Sequence, residues 1–520
     1  MSAKFFFNQV SRFWILVGII TLVTLFRFWY STQLELTGDE AYYWYCSRHL
    51  DWSFFDKGPG AALVIFLATH LFGDTVFGVR FFAVLLSAVT GIGLFLLATM
   101  LYSEEVAFGT LLVVLCMPLY AVGSILMTID PLSIFFWTIG ASCFWKALHG
   151  NSIAKTDSSF FWWIATGISV GMGALAKYTN FIELFCFFLF CLSNGKHRLQ
   201  LKRFPFYLML LLALLFFLPM VLWNEKHHWV GLMHLLQRGD LNKSWHITPS
   251  EFLIFMGAQA GVISPLIFLG VMISVFWPQF RVEKAEQTRF LQALFLPLFC
   301  FYSFLSLNKA AEPNWPAPCY VAGIILLVGN WESLQKKIPW IRKLVFWAFL
   351  IAALQTVLLH NTWWLHLSLP RSLEQSTNAW TRKAIACYHY LGSVDPLDRA
   401  RGAHSLALHA QELAMKQGAE FIISDNYQTA SLFSFYLDGH PETYEPVFHP
   451  IKDQFSLWPT YRDRFNTGSK ALFIYLWRYP PRELLNDFSR IQLLEEFYST
   501  TGNRPLKKYY FSICIGLKAH

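Results

Sequence analysis

Phe13-Trp-Ile-Leu-Val-Gly-Ile-Ile-Thr-Leu-Val-Thr-Leu-Phe-Arg-Phe-Trp-Tyr30, followed shortly by Thr37-Gly-Asp-Glu-Ala-Tyr-Tyr-Trp44, decides the class of this 520-residue chain. The first stretch is of membrane-spanning length and too long for a signal-peptide core. Lys4 and Arg12 precede it and no convincing small-residue cleavage site follows, so it reads as a retained span. The octet then places two adjacent carboxylates where the span returns to water. A carboxylate leaving a bilayer must be solvated, paired or used.

Composition extends that reading to the whole chain. Residues are 55% hydrophobic, 18% aromatic and only 14% charged, whereas a soluble domain carries roughly 25% charged residues. The expected class is an α-helical polytopic membrane protein. The net charge of +8 comes from Lys and Arg placed mainly in short loops, which points to membrane orientation and not to a nucleic-acid partner. Nine cysteines show no paired spacing and no C-x-x-C, so neither a disulfide framework nor a thiolate metal site is expected.

Further runs of spanning length lie near Gly78–Leu101, Val106–Ile125, Leu132–Leu148, Phe160–Ala176, Tyr178–Ser193, Phe204–Trp223, Phe252–Trp277, Phe290–Leu307, Ala317–Trp331 and Leu344–Trp363, giving about eleven transmembrane helices. Ala61–Phe72 is too short to cross and is assigned to the interface. With this count and a cytoplasmic N-terminus, the basic loops Asn194–Arg203, Phe280–Arg289 and Glu332–Lys343 all fall inside. The octet falls outside. Charges become frequent after Trp363, dividing a transmembrane catalytic domain, 1–369, with its outer loop at 32–77, from a soluble outer domain, 370–520. In the latter, helices are expected at His404–Gly418 and Asn426–Leu437, and strands at Glu420–Ser424, Ala471–Trp477 and Tyr509–Ile515, giving a small α/β domain.

The candidate chemistry lies on the outer face. The first outer loop holds Asp39, Glu40, Arg48, His49, Asp51, Asp56 and Lys57, then Gly58-Pro59-Gly60. Thr37 and Glu40 have capping-box spacing, with Tyr42–Tyr45 and Trp52 suited to the headgroup belt. Capping needs neither Asp39 nor Lys57. Asp130, in Met127-Thr-Ile-Asp-Pro131, suits an N-cap before a proline at the first helical position, and equally a second carboxylate on the outer face. Together the two acids can orient and deprotonate a hydroxyl or amine, with Asp39 as base.

Lys57, Lys177, Arg238 and Lys309 lie at outer span ends or in outer loops. Each alone suits snorkelling to the headgroups. As a group they suit a phosphate or diphosphate at the membrane surface. The Pro-rich loop Asn308–Pro318 adds Glu312, Asn314 and Trp315, a rim able to stack on a sugar and bind its hydroxyls, or simply a tight re-entry turn. Tyr43 and His49 complete the substrate-binding candidates. His227, His228 and His234 have no i, i+4 ligand spacing, so a divalent metal is possible in principle but unsupported.

The ordered set Gly38-Asp-Glu-Ala-Tyr-Tyr-Trp44, Asp56-Lys-Gly-Pro-Gly60, Met127-Thr-Ile-Asp130, Ala174-Leu-Ala-Lys-Tyr178, Ser264-Pro265 and Lys309…Glu312-Pro-Asn-Trp-Pro316 resembles bacterial membrane glycosyltransferases of GT-C fold, the protein O-mannosyltransferase and aminoarabinose-transferase superfamily. The likeness covers roughly Phe13–Trp331; the C-terminal part matches loosely, through Asn426-Tyr-Gln. The resemblance implies Asp39 as catalytic base or acceptor-orienting group with Glu40 adjoining, Asp130 as the second acid, and Lys57 on the lipid phosphate. The Lys57-Gly-Pro-Gly context departs from the Lys-Pro-Pro of aminoarabinose transferases but keeps the charge.

The same resemblance implies an inverting transfer. An acceptor would attack the anomeric carbon of a polyprenyl-phosphate-linked sugar, the phosphate leaving onto Lys57 with Arg238, Lys177 or Lys309, without a required metal. Lipid A, lipopolysaccharide, another surface glycan or protein would be the acceptor, and membrane lipids the surroundings. The site and C-terminal domain would face the periplasm from a bacterial inner membrane. A transporter or flippase for a lipid-linked glycan is the alternative. It would show midplane ionisable residues or helices broken in corresponding halves, and the sequence shows no such repeat.

Overall fold

The computed structural model describes residues 3–150, 158–238, 245–277, 284–367, 369, 378–393, 395–448, 450–477, 479–502 and 504–519. They form two compact units. One comprises Met1–Ser31, Asp51–Val64 and Arg80–Thr356; the other comprises Thr32–Leu50, Ile65–Val79 and Val357–His520.

The chain is a multi-pass helical membrane protein. Among the described residues, seven helices are long and apolar enough to cross a bilayer: Trp14–Ser31, Val76–Leu101, Ser159–Ala176, Phe204–Lys226, Ala285–Leu305, Ala317–Lys337 and Ile341–His360. Pro249–Ile263 and Pro265–Phe276 make an eighth if the pair, bent by 110°, counts as one.

Fewer helices pass this test of length and composition than the eleven or so apolar runs would give, for local reasons. Val106–Ile125 is split at Met117, because Pro118 starts a new helix and cannot donate the hydrogen bond that would continue the old one. Leu132–Leu148 lies in the 21-residue helix Ile129–His149, whose Ser133, Thr138, Ser142 and Lys146 dilute its apolar character. Tyr178–Ser193 is a short 3₁₀ turn joined to a 12-residue helix. Phe252–Trp277 is not continuous. Ser264, fully buried, takes φ +82° before Pro265, and the chain turns there.

In the first unit, Ala317–Lys337 is the most enclosed span, with 83% of its apolar window buried. Its neighbours approach closely because small residues allow it: a Cβ on Gly323 would come within 2.9 Å of both Phe295 and Val271. Side chains expected on one face meet at one end of this bundle, where Lys177 and Asn314 both donate to Asp130. Those expected on the opposite face meet at the other end. Arg12 pairs with Glu104 and Glu105, and Lys284 donates to the Leu101 and Tyr102 carbonyls. Of the loop read as Phe280–Arg289, residues up to 283 lie outside the described residues.

The second unit contains a four-stranded sheet of β1 (Phe421–Ser424), β2 (Ala471–Tyr475), β3 (Phe488–Thr501) and β4 (Arg504–Leu517), in the order β1-β2-β4-β3. β1 and β2 are parallel; β4 runs antiparallel to β2 and to β3. Alternation along β2 sends Leu472 and Ile474 to a core with Leu406, Ala410 and Phe433, and Phe473 and Tyr475 to a core with Phe421, Tyr461 and Phe488. Helices Ala403–Gln417 and Tyr427–Tyr436 match the expected pair. β3 is additional.

Candidate active site

The Gly-Asp-Glu octet forms the start of helix Gly38–Arg48 in the second unit. Its capping box is present: Glu40 Oε2 accepts the Thr37 N–H at 3.0 Å and the Thr37 hydroxyl at 3.1 Å, while Thr37 Oγ1 accepts the Glu40 N–H. Glu40 is fully buried, so its carboxylate serves the helix start. Asp39 is exposed. Its Oδ1 accepts from Gln428 Nε2 at 3.0 Å.

Gln428 belongs to the Asn426-Tyr-Gln motif, and each of these residues has a task. Asn426 Oδ1 caps helix Tyr427–Tyr436 by accepting the Thr429 N–H at 2.9 Å. The Tyr427 ring meets Tyr42 edge-on at 4.8 Å. Gln428 reaches Asp39. The approach is so close that a Cβ on Gly38 would lie 2.6 Å from the Gln428 Cβ, which explains the glycine before Asp39.

The aromatic run is not a headgroup belt. Tyr42, Tyr43, Trp44 and Tyr45 are all buried within this unit, and Trp44 Nε1 donates to Asp74 at 2.6 Å. Tyr43 is 6% exposed, packed beside Tyr42. His49 stacks between Tyr45 and Trp458, with Nδ1 3.1 Å from the Tyr45 carbonyl oxygen and Nε2 3.7 Å from Glu442.

The first unit holds the other candidates. Helix Ile129–His149 is capped by Thr128, whose hydroxyl accepts the Asp130 N–H, so Asp130 is not the N-cap. Its carboxylate is left for a different purpose. Lys177 Nζ donates to Asp130 Oδ1 at 2.9 Å and to the Trp315 carbonyl at 3.1 Å, and Asn314 Nδ2 donates to Asp130 Oδ2 at 2.6 Å. Both charged side chains are largely enclosed, and each is the other's charged partner.

The loop carrying Asn314 is itself anchored. Gln259 donates to the Pro313 carbonyl at 3.0 Å, Tyr320 donates to Gln259 at 2.9 Å, and Glu251 accepts the Ala310 N–H at 2.9 Å. The Trp315 ring packs on Tyr302 at 5.5 Å. Lys309 and Glu312 are exposed on the same loop.

Lys57 is 8% exposed and its Nζ lies 3.1 Å from Asp56 Oδ2. Its backbone is fixed by a 2.9 Å bond from the Phe54 N–H to the Lys57 carbonyl. The loop also rests on the chain around Lys177: a Cβ on Gly58 would sit 2.1 Å from the Leu175 carbonyl oxygen, and Ser53 and Tyr178 share a hydroxyl contact at 3.3 Å. Asp51 Oδ2 accepts from Trp223 Nε1 at 2.7 Å. The Lys57-Gly-Pro-Gly context is thus built for backbone packing. Arg238 ends helix Val230–Arg238, but its side chain and Asp240 lie outside the described residues.

Sequence reasoning therefore anticipated Asp130 and Lys177 separately, and the structure joins them. It marked Gln428 only as part of the Asn426-Tyr-Gln motif and gave it no role, and it missed Gln259, Tyr302 and Trp223, whose residue types carry no distinctive spacing. It also missed Glu183, fully buried in the bundle with no described hydrogen-bond partner for either oxygen and packed on Gly140.

Residues 56–223 match the family described as dolichyl-phosphate-mannose-protein mannosyltransferase. Among curated proteins, the chain is 25% identical over 309 residues to the lipid A galacturonosyltransferase RgtD of Rhizobium johnstonii, covering 56% of this chain and 59% of that protein. It is 26% identical over 333 residues to the undecaprenyl phosphate-alpha-4-amino-4-deoxy-L-arabinose arabinosyl transferase 2 of Proteus mirabilis, covering 60% and 58%. The matched region thus spans somewhat over half the length of these relatives. In backbone, the chain follows the crystal structure of ArnT from Cupriavidus metallidurans bound to undecaprenyl phosphate, with a TM-score of 0.61 at 17% identity over 98% of each chain. The fold is that of ArnT, as the motif order implied.

Proposed function

We propose that this chain, a member of the dolichyl-phosphate-mannose-protein mannosyltransferase family of GT-C transferases through residues 56–223, is an inverting glycosyltransferase that takes its sugar from undecaprenyl phosphate and delivers it to lipid A. One observation carries the reading. The family-matched segment contains Lys57, Asp130 and Lys177, three enclosed charged side chains held on a loop and helix ends of the same unit. An enclosed lysine is a strong electrostatic partner for a leaving phosphate, because the low-dielectric surroundings magnify its charge.

In this mechanism Lys57 binds the lipid phosphate and stabilises its departure. Lys177 is held in place by Asp130 and the Trp315 carbonyl. Asp39, exposed and oriented by Gln428 within the second unit, is the candidate base for the attacking hydroxyl. The site faces the periplasm from the inner membrane. Lipid A is favoured over protein as acceptor because the curated relatives named above act on lipid A or use an undecaprenyl-phosphate aminoarabinose donor.

The test is a reconstitution. Purified chain in lipid nanodiscs is mixed with lipid A and, in turn, undecaprenyl-phosphate hexuronate, hexose and aminopentose donors. Mass spectrometry should show one sugar increment on lipid A and released undecaprenyl phosphate. Failure with every donor, or an increment only on added peptide, would overturn the reading.

A further inference from the structure

His149, His197 and Glu286 come from three separated segments of the first unit and converge. His149 ends helix Ile129–His149, His197 lies in the turn after Asn194, and Glu286 lies in the first turn of helix Ala285–Leu305. Their donor atoms all fall within 4.8 Å of one another. Glu286 Oε1 is 2.6 Å from His197 Nε2 and 3.0 Å from His149 Nε2. We propose that these three side chains form a zinc-class metal site that staples the three segments together.

Three features favour a metal. First, the donors are two imidazole nitrogens and one carboxylate oxygen, a set that zinc accepts with a fourth position left for water. Second, the rings are already oriented. His149 Nδ1 lies 3.0 Å from the Trp145 carbonyl oxygen, and its ring stacks on Trp145 at 4.0 Å; His197 packs on Phe190 at 5.5 Å. A proton held on Nδ1 by a backbone carbonyl directs the Nε2 lone pair at the neighbouring ligands, the outer-shell arrangement found around metal-bound histidines. Third, ions can enter. His149 and Glu286 are partly exposed while His197 is buried, so the site opens to solvent on one side.

The competing arrangement is an ion pair in which one imidazole is protonated. A positive charge suits the C-terminal end of one helix and a carboxylate the N-terminal end of another, and Lys196, 4.0 Å from Glu286 Oε2, adds to it. The two differ in what fills the centre. For tetrahedral zinc at about 2.0–2.2 Å from each donor, neighbouring donors sit about 3.4 Å apart, so the present contacts would open by several tenths of an ångström. Glu286 is free to make that movement on its exposed side.

The site would lie far from the proposed chemistry. Asp130 and His149 occupy opposite ends of one helix, about 29 Å apart at 1.5 Å per residue. Its role is to hold the bundle.

The full-length protein, purified with zinc supplied and then freed of loose metal by gel filtration, should retain close to one zinc per chain. Cobalt(II) loaded in its place should give the intense visible bands of a tetrahedral site. His149→Gln, His197→Ala and Glu286→Gln should each weaken zinc binding about tenfold or more. His149→Gln, at the exposed position, keeps the test open should the buried variants fail to fold; its gel-filtration profile and its melting in chelator should match the parent. A parent that retains no zinc and gives no tetrahedral cobalt spectrum overturns the proposal, as does zinc retained undiminished in folded His149→Gln.

Discussion

Gln428 donates its side-chain amide to the Asp39 carboxylate at 3.0 Å, across 389 residues of sequence. The contact makes the C-terminal segment part of how Asp39 is presented. A carboxylate that keeps one oxygen in a fixed hydrogen bond turns its other oxygen in a defined direction, which a base needs. Asp39→Asn should lower transfer by about 10²–10⁴-fold, the range for loss of a general base. Gln428→Leu should lower kcat roughly tenfold, in line with one hydrogen bond to a charged group, and leave donor KM nearly unchanged. Gly38→Ala should reproduce the Gln428→Leu defect without touching either polar group, because its Cβ would displace Gln428. A Gly38→Ala enzyme with parental kcat would show that the close approach is not used.

The Asp130–Lys177 pair yields a prediction about stability. Removing one partner leaves the other enclosed and uncompensated, at a cost of about 3–5 kcal/mol. Asp130→Asn and Lys177→Met should each lower the melting temperature in nanodiscs. The double variant, which leaves no unpaired charge, should melt above at least one of the singles. Additive losses in the double variant would mean that the two charges do not depend on each other.

The second unit carries a titration of opposite sign to ordinary acid unfolding. Glu445 is 6% exposed, and burial, reinforced by the nearby Asp453 charge, raises its pKa well above the usual carboxylate value. The folded protein therefore holds a proton that the unfolded chain has lost. The stability this contributes is complete below the unfolded-state pKa of about 4.5 and declines as pH rises toward the folded-state value. Glu445→Gln keeps the shape without the charge. It should raise the melting temperature at pH 8 more than at pH 5, which thermal scans of the full-length protein would read directly. Asp395 works in the other direction: burial opposes its ionisation, but Thr362, His366, the Leu397 N–H and Arg401 outweigh it and hold its pKa low. That contribution fades on acidification.

Legibility in the sequence followed the range of the forces involved. Capping is local, and Thr37 with Glu40 was readable because four consecutive residues contain the whole interaction. The β1 and β2 strands were readable because they are short, continuous apolar runs. β3 was not: its bulges between Leu493 and Glu495 and between Tyr498 and Thr500 break the period of two, and its exposed side chains carry charge. Apolar runs outnumber the helices that pass for spans because apolar length does not guarantee helix continuity. Pro118 and Ser264-Pro265 interrupt helices inside apolar runs, and composition is blind to that. The pairing of Asp130 with Lys177 and Asn314, and the meeting of His149, His197 and Glu286, join residues that are distant in sequence. No spacing rule within one segment could join them.

Lys57 and Gly58 separate charge from placement at the proposed phosphate site. Lys57→Ala removes the ammonium and should weaken binding of undecaprenyl phosphate, measured by displacement of a fluorescent polyprenyl phosphate, by about tenfold, the equivalent of roughly 1.4 kcal/mol for one charge-assisted contact. Lys57→Arg keeps the charge and should restore part of that loss. Gly58→Ala keeps the lysine, but its Cβ would stand 2.1 Å from the Leu175 carbonyl oxygen, a backbone atom that has no rotamer to escape into. The loop must then lift away from Leu175 and carry Lys57 with it. If position matters as much as charge, Gly58→Ala should bind the lipid as poorly as Lys57→Ala, and the double variant should be no worse than either single. Parental affinity in a folded Gly58→Ala protein would mean that the loop tolerates displacement and that the Lys57 ammonium reaches the phosphate without being held by this turn.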